Sequence, residues 1–265
     1  MTAEPAAAPA PPDAADGFAA EHAQHAADLA LWRAVAARTG GPVLDLGCAS
    51  GRVALPLAAD GLEVWAVDAD HRMLAALAQR AAGRGAEVAV RIRTVAADMR
   101  HLDLGRRFPL AIAAMNTLQV LLEPADQLAC LRALAAHLDD TGELWFDVTM
   151  PEPGEIAGAL GLVRAGGEHR DADTGELLVH TTWYEGWDPV TGTADYTRRI
   201  DRVAPGGAVR TVLRRHSVHL FSPPELAHLL ARAGLEVVQC WGGFAGEPLD
   251  ASSLHQVYRC RRGAP

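Results

Sequence analysis

Asp45, Gly47, Gly51, Arg52, Asp68 and Asp98 are the residues whose types and spacing suggest chemistry. The first four lie in "VLDLGCASGRVALPLA", residues 43 to 58. Gly47 and Gly51 let the chain turn tightly and approach a ligand with no Cβ in the way. Asp68 follows Asp45 by 23 positions, and an acid about 20 residues after such a turn commonly accepts hydrogen bonds from ribose hydroxyls. A dinucleotide turn, G-x-G-x-x-G, would need glycine where Gly47, Ala49 and Arg52 stand, so only the first fits. Acids beside the turn also repel phosphates. The constellation suits a ligand that carries a ribose, an adenine and positive charge.

The elements that must position these residues are legible from periodicity. "PVLDLG" reads as a buried strand, "VALPLAAD" as a helix with Pro56 near its start, and "LEVWAVD" as a second strand ending at Asp68. "HRMLAALAQRAAGRG" is an amphipathic helix, "VAVRIRTVAADM" a third strand region ending at Asp98, and "FPLAIAAMN" a fourth strand. "PADQLACLRALAAHL" is a helix and "TGELWFDV" a fifth strand. Apolar strands alternating with helices predict a doubly wound, mostly parallel sheet. All three acids then converge at the carboxyl ends of its strands, where such sheets bind ligands.

After residue 150 the rhythm changes. "LLVHTTWYEGW", "TADYTRRIDRV" and "VRTVLRRHSVHLF" are long strand-like runs separated by Asp188-Pro189 with Gly192 and by Pro205-Gly206-Gly207. They predict an antiparallel β insertion after the fifth strand. "SPPELAHLLARAG" carries a helix start, with Ser222 as N-cap, Pro223 at the first position and Glu225 in the capping-box position. "LEVVQCWGGF" and "HQVYRCRR" complete a seven-stranded sheet. The expected organisation is a disordered Ala/Pro-rich tail over 1–16 and a core with an N-terminal helix over 17–150. The insertion covers 151–221, and 222–265 returns to the core sheet.

Composition narrows the function. The 265 residues carry a formal charge of −9, which argues against a nucleic-acid footprint. Every cation is an arginine; without lysine there is no Walker A loop and no Schiff base. Cys48, Cys130, Cys240 and Cys260 show neither zinc nor disulfide spacing, so a reducing, cytoplasmic compartment and no bound metal are expected. His22 and His25 lie three apart and read as a solvated helix face. No apolar run reaches membrane-spanning length.

Taken together, the stretch around Gly47–Gly51 resembles motif I of class I S-adenosylmethionine (SAM)-dependent methyltransferases, and Asp68 and Asp98 match the two motifs that follow. The similarity runs from about residue 28 to 262. "FPLAIAAMNTLQVLLEPADQLACLRALAAHL" and the insertion are similar to the small-molecule branch that includes glycine and deoxyaminosugar N-methyltransferases. The resemblance implies a Rossmann-like fold, SAM as methyl donor and S-adenosylhomocysteine (SAH) as product. It implies that Asp45, Gly47, Cys48, Ala49, Gly51 and Arg52 flank the methionine part of SAM. Asp68 would bind the ribose; Ala69 and Met73 would border the adenine or ribose. Asp98 would accept from the adenine amino group beside Ala97 and Met99, and Met115 and Asn116 would pass near the sulfonium. Ala49 departs from the family, which usually has glycine there.

The resemblance also implies that the insertion covers the active site as a lid. His216 is the candidate general base, because imidazole titrates near neutrality, and Tyr184 a candidate partner, with Trp183 and Trp187 nearby. His180, Thr182 and Tyr184 share one face of a strand; Arg210, Val212, Arg214 and His216 share one face of another. Which face meets the substrate stays open, and the arginine-rich strands are expected to be solvated. The expected partner is a small metabolite, methylated on N, O or C, as in secondary metabolism; a homodimer is left open. The alternatives are a SAM-binding protein that no longer methylates, an NAD-dependent oxidoreductase and an RNA methyltransferase.

Overall fold

The computed structural model describes residues 27–171 and 174–263; the expected tail and the His22/His25 pair lie outside them. A helix, α1 (Ala27–Thr39), precedes β1 (Val43–Leu46), α2 (Ala54–Ala59), β2 (Val64–Asp68) and α3 (His71–Gly83). A one-turn helix, α4 (Ala86–Ala89), leads into β3 (Ile92–Ala96), then β4 (Phe108–Ala113), α5 (Pro124–His137) and β5 (Leu138–Thr149). The third strand thus begins later than its apolar run suggests, because "AEVA" follows Gly85, at φ +108°, into a helical turn.

β1 pairs in parallel with β2 and β4, and β2 with β3. The sheet is completed at its other edge by β10 (Leu235–Trp241) and β11 (His255–Arg262). β11 runs antiparallel to both β5 and β10, giving the order β10-β11-β5-β4-β1-β2-β3. This is a mostly parallel seven-stranded Rossmann-like sheet. Its central strands are covered on both faces, as β1 shows with four consecutive buried residues, Asp45 among them, while the edge strand β3 is partly exposed. One face packs α5 and α7 (Pro223–Arg232) around Phe108, Phe146 and Leu230. The other packs α1, α2 and α3 around Trp32, Leu57 and Leu77. Ser222 and Glu225 form a reciprocal capping box at the start of α7. No helix among the described residues is long and apolar enough to cross a membrane.

Between β5 and α7 lies a second, antiparallel sheet. A short helix, α6 (Pro153–Ala159), precedes β6 (Arg164–Arg170), β7 (Leu177–Asp188), β8 (Thr193–Val203) and β9 (Val209–His219), which pair in that order. Three of these strands match the predicted runs. β6 is the addition: "RAGGEHR" has no apolar alternation and pairs through a bulge between Ala165 and Glu168. Its Gly166 allows close passage, since a Cβ there would meet His180 Cβ at 3.0 Å.

Candidate functional site

A cavity of about 810 Å³ opens at the carboxyl ends of β1, β2, β4 and β5 and is roofed by β8 and β9. Its floor is built mainly from backbone. Gly47, at φ +68°, and Cys48 both donate their N–H to the Val67 carbonyl, at 2.8 and 3.0 Å, which folds the chain back over β2. A Cβ at Gly47 would lie 2.6 Å from Thr117 Cγ2, so only glycine fits. Ala49 sits at φ +45°, a left-handed conformation that costs a residue with a Cβ about 1–2 kcal/mol. Its N–H donates to Asp68 Oδ2 at 2.9 Å, and Asp70 N–H donates to Asp68 Oδ1 at 2.8 Å. The Asp68 carboxylate is thereby fixed at the end of β2, facing the cavity.

Two further acids lie almost fully buried beneath it. Asp45, 2% exposed, is pushed up to about 7 by burial, against the opposing charge of Arg52. Its Oδ2 accepts no hydrogen bond within the described residues. Asp147, also 2% exposed, is likewise raised to about 7 by burial although its Oδ1 accepts from Met115 N–H at 2.6 Å. Met115 and Asn116 both adopt positive φ, 61° and 62°, where β4 ends; Asn116 Oδ1 accepts from Thr149 Oγ1 at 3.1 Å. Arg52 is clamped by Asp28 of α1, with nitrogen–oxygen distances of 2.9 and 2.5 Å, and Asp28 also accepts from Trp32 Nε1 at 3.0 Å. The first helix is thereby tied to the glycine turn.

The roof is the face of the second sheet that carries Tyr196, Arg198, Arg214, His216 and Val218. Tyr196 lies directly opposite His216, and Arg198 opposite Arg214, across the β8–β9 ladder. The Tyr196 and His216 rings stack at 4.9 Å. His216, the candidate base, lines the cavity, but its environment changes its chemistry. Burial first, then Arg198 and Arg214, lower its pKa to about 4, so the imidazole is neutral near neutral pH rather than poised there. The expectation of solvated arginines holds for Arg199, Arg210 and Arg215, which are exposed, and is corrected for Arg198 and Arg214, which line the cavity, and for Arg202, which is buried against Glu176. Strand period 2 places Arg214 with His216 on one face; period alone does not say which face is covered.

Of the other residues singled out in the sequence, Cys48, Ala69, Ala97 and Met99 also line the cavity. Gly51, Met73, Asp98 and Tyr184 do not. Gly51, at φ +88°, is pressed against the α3 side chain Leu77, 2.2 Å from where a Cβ would sit. Asp98 caps the turn Met99–His101 and accepts from Arg100 N–H. The Arg100 guanidinium holds the Asp98 carboxyl at about 2 and also bonds Asp126 at 2.9 Å. Met73 is half-buried on α3. Tyr184 meets Tyr196 edge-on and packs with Ile156, Ala194 and Leu220. Sequence reasoning missed Asp28, Asp147, Tyr196 and His255. Asp147 lies near the end of the fifth strand as Asp45 lies near the end of the first, a signal that was available.

Comparison with known proteins agrees with this geometry. Residues 43–142 match a family model described as a methyltransferase domain. The chain is 32% identical over 220 residues to the cypemycin N-terminal methyltransferase of a Streptomyces species, covering 82% of each protein. It is similar to the structure of the CcbJ methyltransferase from Streptomyces caelestis, with 29% identity, 90% of this chain and 96% of that one covered, and a TM-score of 0.73. It is also similar to the glycopeptide N-methyltransferase MtfA complexed with SAM, with 25% identity, 89% and 94% covered, and a TM-score of 0.57.

The cavity fits SAM on its own terms. A sulfonium and an ammonium would add positive charge beside Asp45 and Asp147, whose carboxyls burial raises despite Arg52, and Asp45 Oδ2 is left with an unused acceptor. The chain belongs to the class I SAM-dependent methyltransferases.

Proposed function

We propose that the enzyme methylates an amine nitrogen of a small, natural-product-type metabolite in the cytoplasm. The observation that carries the choice of nitrogen is His216. With its pKa drawn down to about 4, it is a poor base for a phenol or a carbon acid, whose protons must be removed before or during attack. An amine that arrives neutral needs only alignment and an acceptor for the proton it sheds afterwards. The names of three relatives, an N-terminal methyltransferase, a glycopeptide N-methyltransferase and a sugar N-methyltransferase, support the same reading, the last of them by fold. The four cysteines are free thiols, three of them buried, which suits a reducing compartment.

SAM, when bound, supplies an electrophilic methyl group. In the proposed arrangement Asp68 accepts from the ribose hydroxyls, and the glycine turn with Asp45 and Asp147 holds the cationic portion. Met99 and Ala97 border the adenine. The β8–β9 roof excludes water and aligns the acceptor, and in-line transfer gains most from such close, dry alignment. The test is SAH production from SAM with a panel of amines, phenols and carbon acids. Turnover restricted to amines supports the proposal. Turnover of phenols or carbon acids alone refutes it.

A further inference from the structure

We infer that His255 takes the proton that the acceptor nitrogen loses on methylation and releases it through a second cavity behind it. The inference rests on the reading of the acceptor as an amine. His255 opens β11 and stands directly opposite Thr149 of β5, whose hydroxyl donates to Asn116 Oδ1. It lines the same cavity as Met115 and Asn116, the residues expected near the sulfonium. Its ring packs on Phe244 at 4.9 Å, and Phe244 meets the buried Trp32 edge-on at 6.0 Å, so the imidazole is backed by the core. Among the described residues, nothing hydrogen-bonds its Nδ1. The second cavity, of about 840 Å³, lies between α1 and the loop that joins β10 to β11. Phe244 and His255 line both cavities, and the exposed Glu247 and Asp250 rim the second. An imidazole in this shared wall can gain a proton on one side and lose it on the other.

Two imidazoles line the cofactor cavity, and the charges that act on them differ in sign. Arg198 and Arg214 add to burial in opposing a proton on His216. Burial also lowers the pKa of His255, but Asp28 of α1 works against it and favours the protonated ring. Arg52, paired with Asp28, moderates that field. The other titratable groups on the elements beside His255 are acids, Asp147 on β5 and Glu247 and Asp250 in the loop; Tyr196 and His216 stand across the cavity in the roof. Asp45 and Asp147 meet the cofactor's charge in the proposed arrangement, which leaves His255 to receive the proton. The step balances as follows. The amine lone pair forms the N–C bond, and the C–S bond breaks with its electron pair left on sulfur as SAH. One N–H proton of the new ammonium passes to the His255 ring and from there to water in the second cavity. Burial weakens the ammonium's hold on that proton, and the product leaves neutral.

The experiment uses the full-length enzyme, saturating SAM and the amine of the panel that is turned over fastest. His255→Ala should lower kcat about a hundredfold, the lower end of what a positioned base supplies, with SAH affinity within twofold by calorimetry. Added imidazole should restore at least a tenth of the lost rate, because the second cavity admits it to the vacated place. In the parent, kcat should fall as pH drops below the usual imidazole value, and that limb should be missing from the variant; saturating SAM keeps Asp45 and Asp147 out of the profile. His255→Gln guards against loss of fold: it should melt with the parent and still lose kcat. A kcat within tenfold of the parent in both variants overturns the inference. So does a loss that imidazole does not restore and that leaves the pH limb in place, which would make His255 a packing residue. A tenfold loss of SAH affinity also overturns it, by assigning His255 to the cofactor. A panel in which no amine is turned over strikes the N-methylation reading and this inference together, whereas an amine turned over equally by parent and variants strikes this inference alone.

Discussion

The floor and the roof of the cavity are built by different means. The floor is backbone: Gly47 and Ala49 at positive φ, N–H groups aimed at Val67 O and at Asp68, and acids near the ends of parallel strands. The roof is side chain: Tyr196, Arg198, Arg214 and His216 on one face of an antiparallel sheet. The floor is negative and the roof positive. In the proposed arrangement the cofactor is held by geometry that tolerates little change, and the acceptor is met by side chains that can be exchanged without disturbing the chain path. Substitutions in the floor should therefore damage folding and cofactor binding, and substitutions in the roof should damage turnover.

The largest effect is expected at Gly51, which touches no part of the cavity. A Cβ there meets Leu77 Cδ1 at 2.2 Å, and φ is +88°. Overpacking costs about 1–3 kcal/mol and backbone strain a further 1–3. Gly51→Ala should lower stability by about 3 kcal/mol in urea denaturation. A loss below about 1 kcal/mol would mean that α3 yields and the turn is softer than its geometry implies. Next comes Asp68→Ala, which removes the acceptor of Ala49 N–H as well as the proposed ribose contact. SAH affinity should fall by about 1.5–3 kcal/mol, the scale of hydrogen bonds to a charged group. Calorimetry that finds SAH affinity unchanged would remove Asp68 from the cofactor site.

How much of this was legible follows the same division. Strand-end acids and glycine turns are local features, and Asp45, Gly47 and Asp68 could be read because one strand–turn–helix unit fixes them. Asp98 could be read as a strand-end acid but not as the partner of Arg100, since a neighbouring arginine two residues on competes for the carboxylate. Asp28 was beyond reach: its role arises from α1 packing on the glycine turn 24 residues away. In the roof, Tyr184 and Tyr196 are directly opposite across β7 and β8. Only the placement of the second sheet over the first decides that Tyr196 lines the cavity and Tyr184 packs behind it.

The sign of the floor can be tested by pH. Asp45 and Asp147 are raised to about 7 in the protein alone, so each is largely protonated at pH 6 and ionised at pH 8. A cation that binds to the ionised form must first displace those protons at low pH. SAM affinity should therefore rise from pH 6 to pH 8, by up to about tenfold per unit for each carboxylate that ionises on binding, and level off above. SAH has lost the sulfonium charge, so its rise should be shallower. The same two groups contribute stability to the unliganded fold that is fully present below the unfolded pKa near 4 and lost as pH rises through about 7, so SAM should raise the melting temperature more at pH 8 than at pH 6. A SAM affinity flat over this range would show that neither acid meets the cofactor's charge.

A smaller effect belongs to the roof. His216→Asn removes a neutral acceptor and the ring stacked on Tyr196, but leaves the floor intact. It should lower kcat about tenfold, or about 1.4 kcal/mol in the barrier, with SAH affinity within twofold. If it lowers SAH affinity and spares kcat, floor and roof do not divide the labour as described.

The smallest effect tests Ala49, where the resemblance to motif I implies glycine. Ala49 holds φ +45° with a Cβ, at a strain of about 1–2 kcal/mol. Glycine would relieve it, yet would also loosen the unfolded chain by about 0.4–1 kcal/mol. The two effects nearly cancel, and Ala49→Gly should gain only about 0.5 kcal/mol in urea denaturation. The N–H to Asp68 Oδ2 bond is a backbone feature and survives the change, so SAH affinity should move by less than threefold. A gain above tenfold would show that the methyl group narrows the cofactor cleft. A stability loss above about 1 kcal/mol would show that the Ala49 methyl group makes contacts worth more than the strain it bears, and that this floor has been rebuilt around alanine.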